Sequence, residues 1–183
     1  MDEHDEVVGD IGYSKFILRH FTNREGKEGT WGLIHTNAFG PGAQVLAITR
    51  GHKVVLERSY RIPLKQYVIE LPGGTNDVKG ESLENLVRRE LLEETGYSGG
   101  EYHLLADLPD APALTDQMNA IFLAYGVEKI GPATPGSDEE IEVFETPLAG
   151  IITSLRNKKE PVDPKVFAAI SLLPPEFLKE VIS

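Results

Sequence analysis

Residues 80–97 read GESLENLVRRELLEETGY, and the placement of glutamates in this stretch decides the fold. At 100° per residue Leu83, Leu86 and Val87 form one apolar stripe, the mark of a helix docked on a sheet. Ser82 is placed to cap its start and Gly96 to end it. Steps of three and four residues carry the stripe onto Glu90 and then Glu94, so two carboxylates fall on the line that faces the core. Glutamates that merely solvate a helix would lie opposite the leucines. Arg89 can pair with Glu93 one turn on, an interaction worth a few tenths of a kcal/mol, whereas Glu90 and Glu94 have no such partner within the helix. Glu93 and Glu94 also sit in the last turn, where the helix dipole disfavours anions by roughly 0.3–1 kcal/mol each. A hard divalent cation offsets both the dipole and the mutual repulsion, and Mg²⁺ often needs only one or two carboxylates beside water and substrate phosphate.

Outward from this helix, the first half of the chain is rich in strand-like runs. YSKFILRHF, TWGLIHTN, AQVLAIT and HKVVLERSY follow one another, separated by the turn-forming NREGKEG and FGPG. YVIEL is stopped by Pro72-Gly73-Gly74, and EYHLLADL, AIFLAYGVEKI and EEIEVFE are further strand candidates beyond the helix. Two helices are expected near the end, each announced by a cap residue and a proline, at Thr146-Pro147 and Asp163-Pro164, and Pro174-Pro175 interrupts the second. The expected class is α+β, an α/β/α sandwich with a mixed sheet.

The chain has 183 residues, enough for a single domain over 11–183 with residues 11–40 as N-terminal strands. Residues 1–10 are acidic and poor in apolar side chains, so they read as a flexible tail. A net charge of −11 argues against nucleic acid as a partner, because that needs clustered lysine and arginine. No apolar run is long enough to span a membrane, and the start lacks the parts of a signal peptide. The absence of cysteine excludes thiolate metal sites and is compatible with a cytoplasmic location.

Gly74, Glu81 and the run Arg89-Glu90-Leu91-Leu92-Glu93-Glu94-Thr95-Gly96-Tyr97 resemble the motif of the Nudix hydrolases. From Glu81 onward the match is complete. Six residues, 75–80, separate Gly74 from Glu81 where the family pattern has five. The resemblance implies the Nudix fold and hydrolysis of a nucleoside diphosphate derivative with Mg²⁺, or Mn²⁺ in its place. It implies Glu90, Glu94 and the carbonyl of Gly73 as metal ligands, Glu93 as a direct or water-mediated ligand, Arg89 as the residue that orients the glutamates, and Glu81 as support for helix or metal.

Three further features resemble the ADP-ribose and nucleoside-diphosphate-sugar pyrophosphatase branch of that family. Tyr60-Arg61 ahead of ELPGG implies that Arg61 contacts pyrophosphate or sugar, with Gly74 nearby, although Ser59 stands where glutamine is usual. Pro112 in PDAPALTDQ is similar to the downstream proline of the branch, with Gln117 in place of a glutamate and Thr115 as a substrate-binding candidate. GSDEEIEVFE is similar to an acidic loop that supplies a general base, for which Glu139 is the best match and Asp138, Glu140 and Glu93 are alternatives. By the same resemblance the N-terminal strands pair in a homodimer, and Tyr13, Phe16, Arg19 and Trp31 are candidates to stack on or clasp a nucleotide, or else core or interface residues. The expected reaction is cleavage of a nucleoside diphosphate sugar or ADP-ribose to a nucleoside monophosphate and a sugar phosphate. The rival readings are a nucleoside triphosphate or dinucleoside polyphosphate pyrophosphatase, and a non-catalytic nucleotide-sugar-binding module.

Overall fold

The structure, a computed structural model, describes residues 3–137 and 139–182. Strands β1 (Glu3–Ile11), β2 (Ser14–Thr22) and β3 (Glu28–Thr36) form an antiparallel sheet in the order β1-β2-β3. Residues 3–10 are therefore part of a strand and not of a tail. Their low apolar content is offset by the backbone ladder and by charge pairs across it. Asp5 stands opposite Arg19 in the register, and the guanidinium donates to its carboxylate at 2.8 and 2.9 Å, while Glu6 lies 3.3 Å from His20.

The second sheet holds β4 (Gly42–Thr49), β5 (Lys53–Arg61), β6 (Gln66–Glu70), β7 (Gly73–Gly74), β8 (Tyr97–Ser98), β9 (Glu101–Pro109), β10 (Met118–Lys129) and β11 (Ile141–Pro147). Its order is β11-β5-β4-β10-β8, with β6 on β5, β7 on β4 and β9 on β10. The β4–β10 pair is parallel and the other pairs are antiparallel, so the sheet is mixed. Helix α1 (Leu83–Glu90) runs on into a π-helical turn, Leu91–Thr95. Helices α2 (Ile151–Arg156), α3 (Pro164–Ser171) and α4 (Pro175–Ile182) close the chain.

The period-two geometry of β4 explains the layering. Leu46 and Ile48 join Val54, Leu56, Ile121 and Leu123 in a core closed by Ile151, Leu155, Val166, Ile170 and Val181 of α2–α4. Ala43, Val45 and Ala47 face the other way, with Val55, Ala120, Phe122 and Ala124, onto Leu86, Val87 and Leu91 of the α1 segment. The four alanines on that side leave room for α1 to lie close to the sheet. Among the described residues no helix is long and apolar enough to cross a membrane.

The helix expected at Thr146-Pro147 is displaced. Strand β11 runs through Pro147, with Thr146 buried opposite Val54, and the helix starts only at Ile151 behind Gly150, whose φ is 68°. A proline is tolerated at the end of an edge strand, where its missing N–H is not needed by the ladder. Asp163 does cap α3, accepting from the amide of Lys165 at 2.7 Å with Pro164 as the first helical residue.

Candidate active site

Ser82 caps α1 by accepting from the amide of Asn85 at 3.2 Å, and Gly96, with φ 75°, ends it. A Cβ on Gly96 would stand 2.2 Å from the carbonyl oxygen of Gly131, so chain direction and close packing both require glycine there. Of the predicted stripe, Leu86 and Val87 are fully buried, Leu83 and Glu90 are partly buried, and Glu94 is 6% exposed; Leu91, also fully buried, lies beside it. The π turn, Leu91–Thr95, includes Glu93 and Glu94, a distortion frequent at functional positions.

Arg89 gathers the acidic side chains around it. Its guanidinium donates to Glu81 at 3.1 and 3.2 Å, to Glu93 at 3.2 Å and to Asp77 at 3.2 Å, and lies 2.9 Å from Glu90. Glu90 thus has a cationic neighbour that spacing along the helix did not suggest. The bonds to Glu81 raise the Arg89 pKa further, against a smaller opposing effect of burial. Glu93 is about half exposed, and its backbone carbonyl accepts from Thr134.

Glycines fix the floor of the site. The amide of Gly73 donates to Glu94 at 2.8 Å, and Gly73 and Gly74 pair with Gln44 and Ala43 of β4. A Cβ on Gly74 would meet the Glu90 carboxylate at 2.6 Å. The extra residue upstream is absorbed in the loop itself. Gly80 adopts φ 82° with open space around it, and the amide of Glu81 donates to Val78 at 3.1 Å, so Gly74 still meets Glu90.

A buried member of the cluster comes from a different element, β5. Val55 and Glu57 of β5 share the sheet face that carries α1, and Glu57, 3% exposed, faces Glu94 within hydrogen-bonding reach. Burial raises the pKa of Glu57 well above the carboxylate range, the charge of Glu70 adding to it. Burial likewise raises Glu94, with the charge of Glu57 next. Glu90 is raised by burial as well, against the pull of Arg89. Two carboxyls face to face can stay together by sharing a proton or a cation. The Oε1 oxygen of Glu57 meets no donor in the protein. These oxygens suit a hard divalent ion. Among the described residues no group of three acidic or histidine side chains stands close enough to hold a metal ion unaided, so an ion here would need water and substrate oxygens as well.

Arg61 ends β5 and forms an ion pair with the buried Glu70 at 2.5 Å, near enough to Glu57 and Glu94 to feel both charges. In the loop before β11, Glu139 accepts from the amide of Gly136 at 2.7 Å, and its charge reaches Glu57, Glu90 and Glu94. Glu140 is bonded by the hydroxyl of Tyr67, and Asp138 lies outside the described residues. Arg19 and Thr115 are not part of this cluster. They line a separate cavity of about 400 Å³ with Phe21, Trp31, Leu33 and Pro112–Asp116. Trp31 donates to the carbonyl of Ala113 at 3.1 Å and is 54% exposed, and Phe16 is 48% exposed, so neither is a core residue.

A mixed sheet between helices, with acidic side chains gathered at the end of one of them, makes an α/β/α sandwich with a carboxylate site. The chain belongs to the Nudix family: the NUDIX domain matches residues 38–170. It is 32% identical over 135 residues to a methanol dehydrogenase activator of Bacillus methanolicus, covering 73% of this chain and 72% of that one. It is 33% identical to an ADP-ribose pyrophosphatase of Bacillus subtilis, with the same coverage. A solved ADP compounds hydrolase shares the fold at a TM-score of 0.78 and 21% identity, over 98% of this chain and 95% of that one. The protein is a Nudix hydrolase.

Proposed function

We propose that the protein hydrolyses the pyrophosphate bond of ADP-ribose or a nucleoside diphosphate sugar, with Mg²⁺ as the metal and Mn²⁺ as a substitute. The observation that carries this reading is Glu94, buried at the C-terminal end of a helix against a second buried carboxyl. Glu90, Glu94 and the carbonyl of Gly73 would hold the ion, and Glu93 would reach it directly or through water. A bound divalent ion supplies a Lewis acid that neutralises the pyrophosphate charge and activates water.

The rest of the work falls to the chain. Arg89 orients the glutamates through the bonds it already makes, braced by Glu81. Arg61 suits a pyrophosphate oxygen or sugar hydroxyl because its planar fork is held by Glu70. Gly74 lets substrate approach beside Glu90. Glu139 takes the proton of the attacking water once its loop closes over the cluster. Arg19, Trp31 and Thr115 offer a stacking face and polar groups for nucleoside or sugar. The ADP-ribose pyrophosphatase relative supports the substrate class. The exposed Phe16, Trp31 and Ile34 of the N-terminal sheet, with Tyr13 in its first turn, support a homodimer, and the cysteine-free composition suits the cytoplasm.

The test is a panel of ADP-ribose, UDP-, GDP- and ADP-sugars, dinucleoside polyphosphates and nucleoside triphosphates with Mg²⁺ or Mn²⁺, scored by product. A nucleoside monophosphate plus a sugar phosphate is expected. Inorganic pyrophosphate from a triphosphate would replace this reading with the triphosphatase one, and binding without turnover of any member would leave a non-catalytic module.

A further inference from the structure

Glu57 has no counterpart in the acidic motif of α1, and the side chain it meets is another buried carboxyl, Glu94. It sits in β5 between Leu56 and Arg58, 3% exposed, on a face otherwise lined by Val55 and the apolar side of α1. An anion at such a position costs several kcal/mol unless it is paired. The cation whose charge reaches it, Arg61, is held by Glu70, which stands directly opposite Glu57 in the β5–β6 register. The Oε1 oxygen of Glu57 meets no donor, and its carboxyl is aimed at Glu94.

From this geometry we infer that Glu57 is a further carboxylate ligand of the divalent cation, supplied by the sheet opposite Glu94 of the helix, with the Glu90 side chain closing on the ion as it binds. The inference rests on the metal reading of Glu94 above. It makes the site bipartite, clasped between β5 and the end of α1, so that cation binding ties the helix to the sheet. A third carboxylate also adds negative charge to the first shell, which strengthens binding of the free ion before substrate arrives.

The test is binding of Mn²⁺ alone, read from the loss of the free-ion electron paramagnetic resonance signal, with Mg²⁺ as competitor. Glu57→Gln, Glu57→Val and Glu94→Gln are compared with the unaltered protein, and folding is followed by circular dichroism in EDTA. Glu57→Gln and Glu57→Val should weaken Mn²⁺ binding about tenfold or more and shrink the Mg²⁺-induced rise in melting temperature. Both should melt in EDTA at or above the unaltered protein, because a buried ionisable carboxyl gives way to a neutral side chain. Loss of affinity in Glu94→Gln with unchanged affinity in both Glu57 variants would overturn the inference and leave the helix ligands standing. No saturable binding by the unaltered protein would overturn the metal reading beneath both.

Discussion

At the scale of the residue, Gly73 and Gly74 separate stability from chemistry. A Cβ on Gly73, where φ is 150°, would stand 2.3 Å from the carbonyl oxygen of Ala43 and 2.6 Å from the Cα of Gln44, both backbone. Gly73→Ala should therefore destabilise the fold by at least about 1–3 kcal/mol, measurable by denaturant unfolding. A Cβ on Gly74 meets instead the end of the Glu90 side chain, at 2.6 Å. Gly74→Ala should lower turnover more than stability, because it displaces the carboxylate and leaves the ladder intact. Equal losses of both would contradict the placement of Glu90. Glu90 and Glu94 were legible in the sequence because a 3.6-residue period places them on a buried line without any knowledge of the fold. Glu57 was not. It lies far upstream in a strand, and only the packing of β5 under α1 brings it to Glu94.

At the scale of the element, α1 is held by one cap and a short apolar seam. Ser82→Ala should cost about 1 kcal/mol, the usual worth of a side-chain cap. Leu86→Ala, at a fully buried position, should cost about 2–5 kcal/mol. Differential scanning calorimetry separates the two. The cap and stop of α1 were readable because Ser82 and Gly96 act locally. Strand β1 was not, since its cross-strand partner Arg19 is chosen by the hairpin and not by composition. The Thr146-Pro147 signal failed for a related reason: a cap-plus-proline pattern also fits the end of an edge strand, and pairing with β5 decided the matter.

At the scale of the whole molecule, the buried acidic cluster links stability to pH and to metal. Burial holds Glu57, Glu90 and Glu94 above their ordinary carboxylate value in the metal-free protein. A raised folded-state pKa favours folding fully below the unfolded value of about 4.5, and that contribution is lost as pH climbs through the raised values. Stability in EDTA should thus fall from mildly acidic to alkaline pH on account of this cluster. Added Mg²⁺ should raise the melting temperature more at pH 8 than at pH 5.5, because protons compete for the same oxygens. A metal shift independent of pH would contradict the buried cluster as the binding site. The most direct test of the central claim compares ADP-ribose hydrolysis by the unaltered protein and by Glu94→Gln, in Mg²⁺ and in EDTA. The unaltered protein with Mg²⁺ should release AMP and ribose 5-phosphate, EDTA should abolish the reaction, and Glu94→Gln should lower the rate on the order of 10²-fold or more while keeping its fold. A near-normal rate in Glu94→Gln would contradict the account.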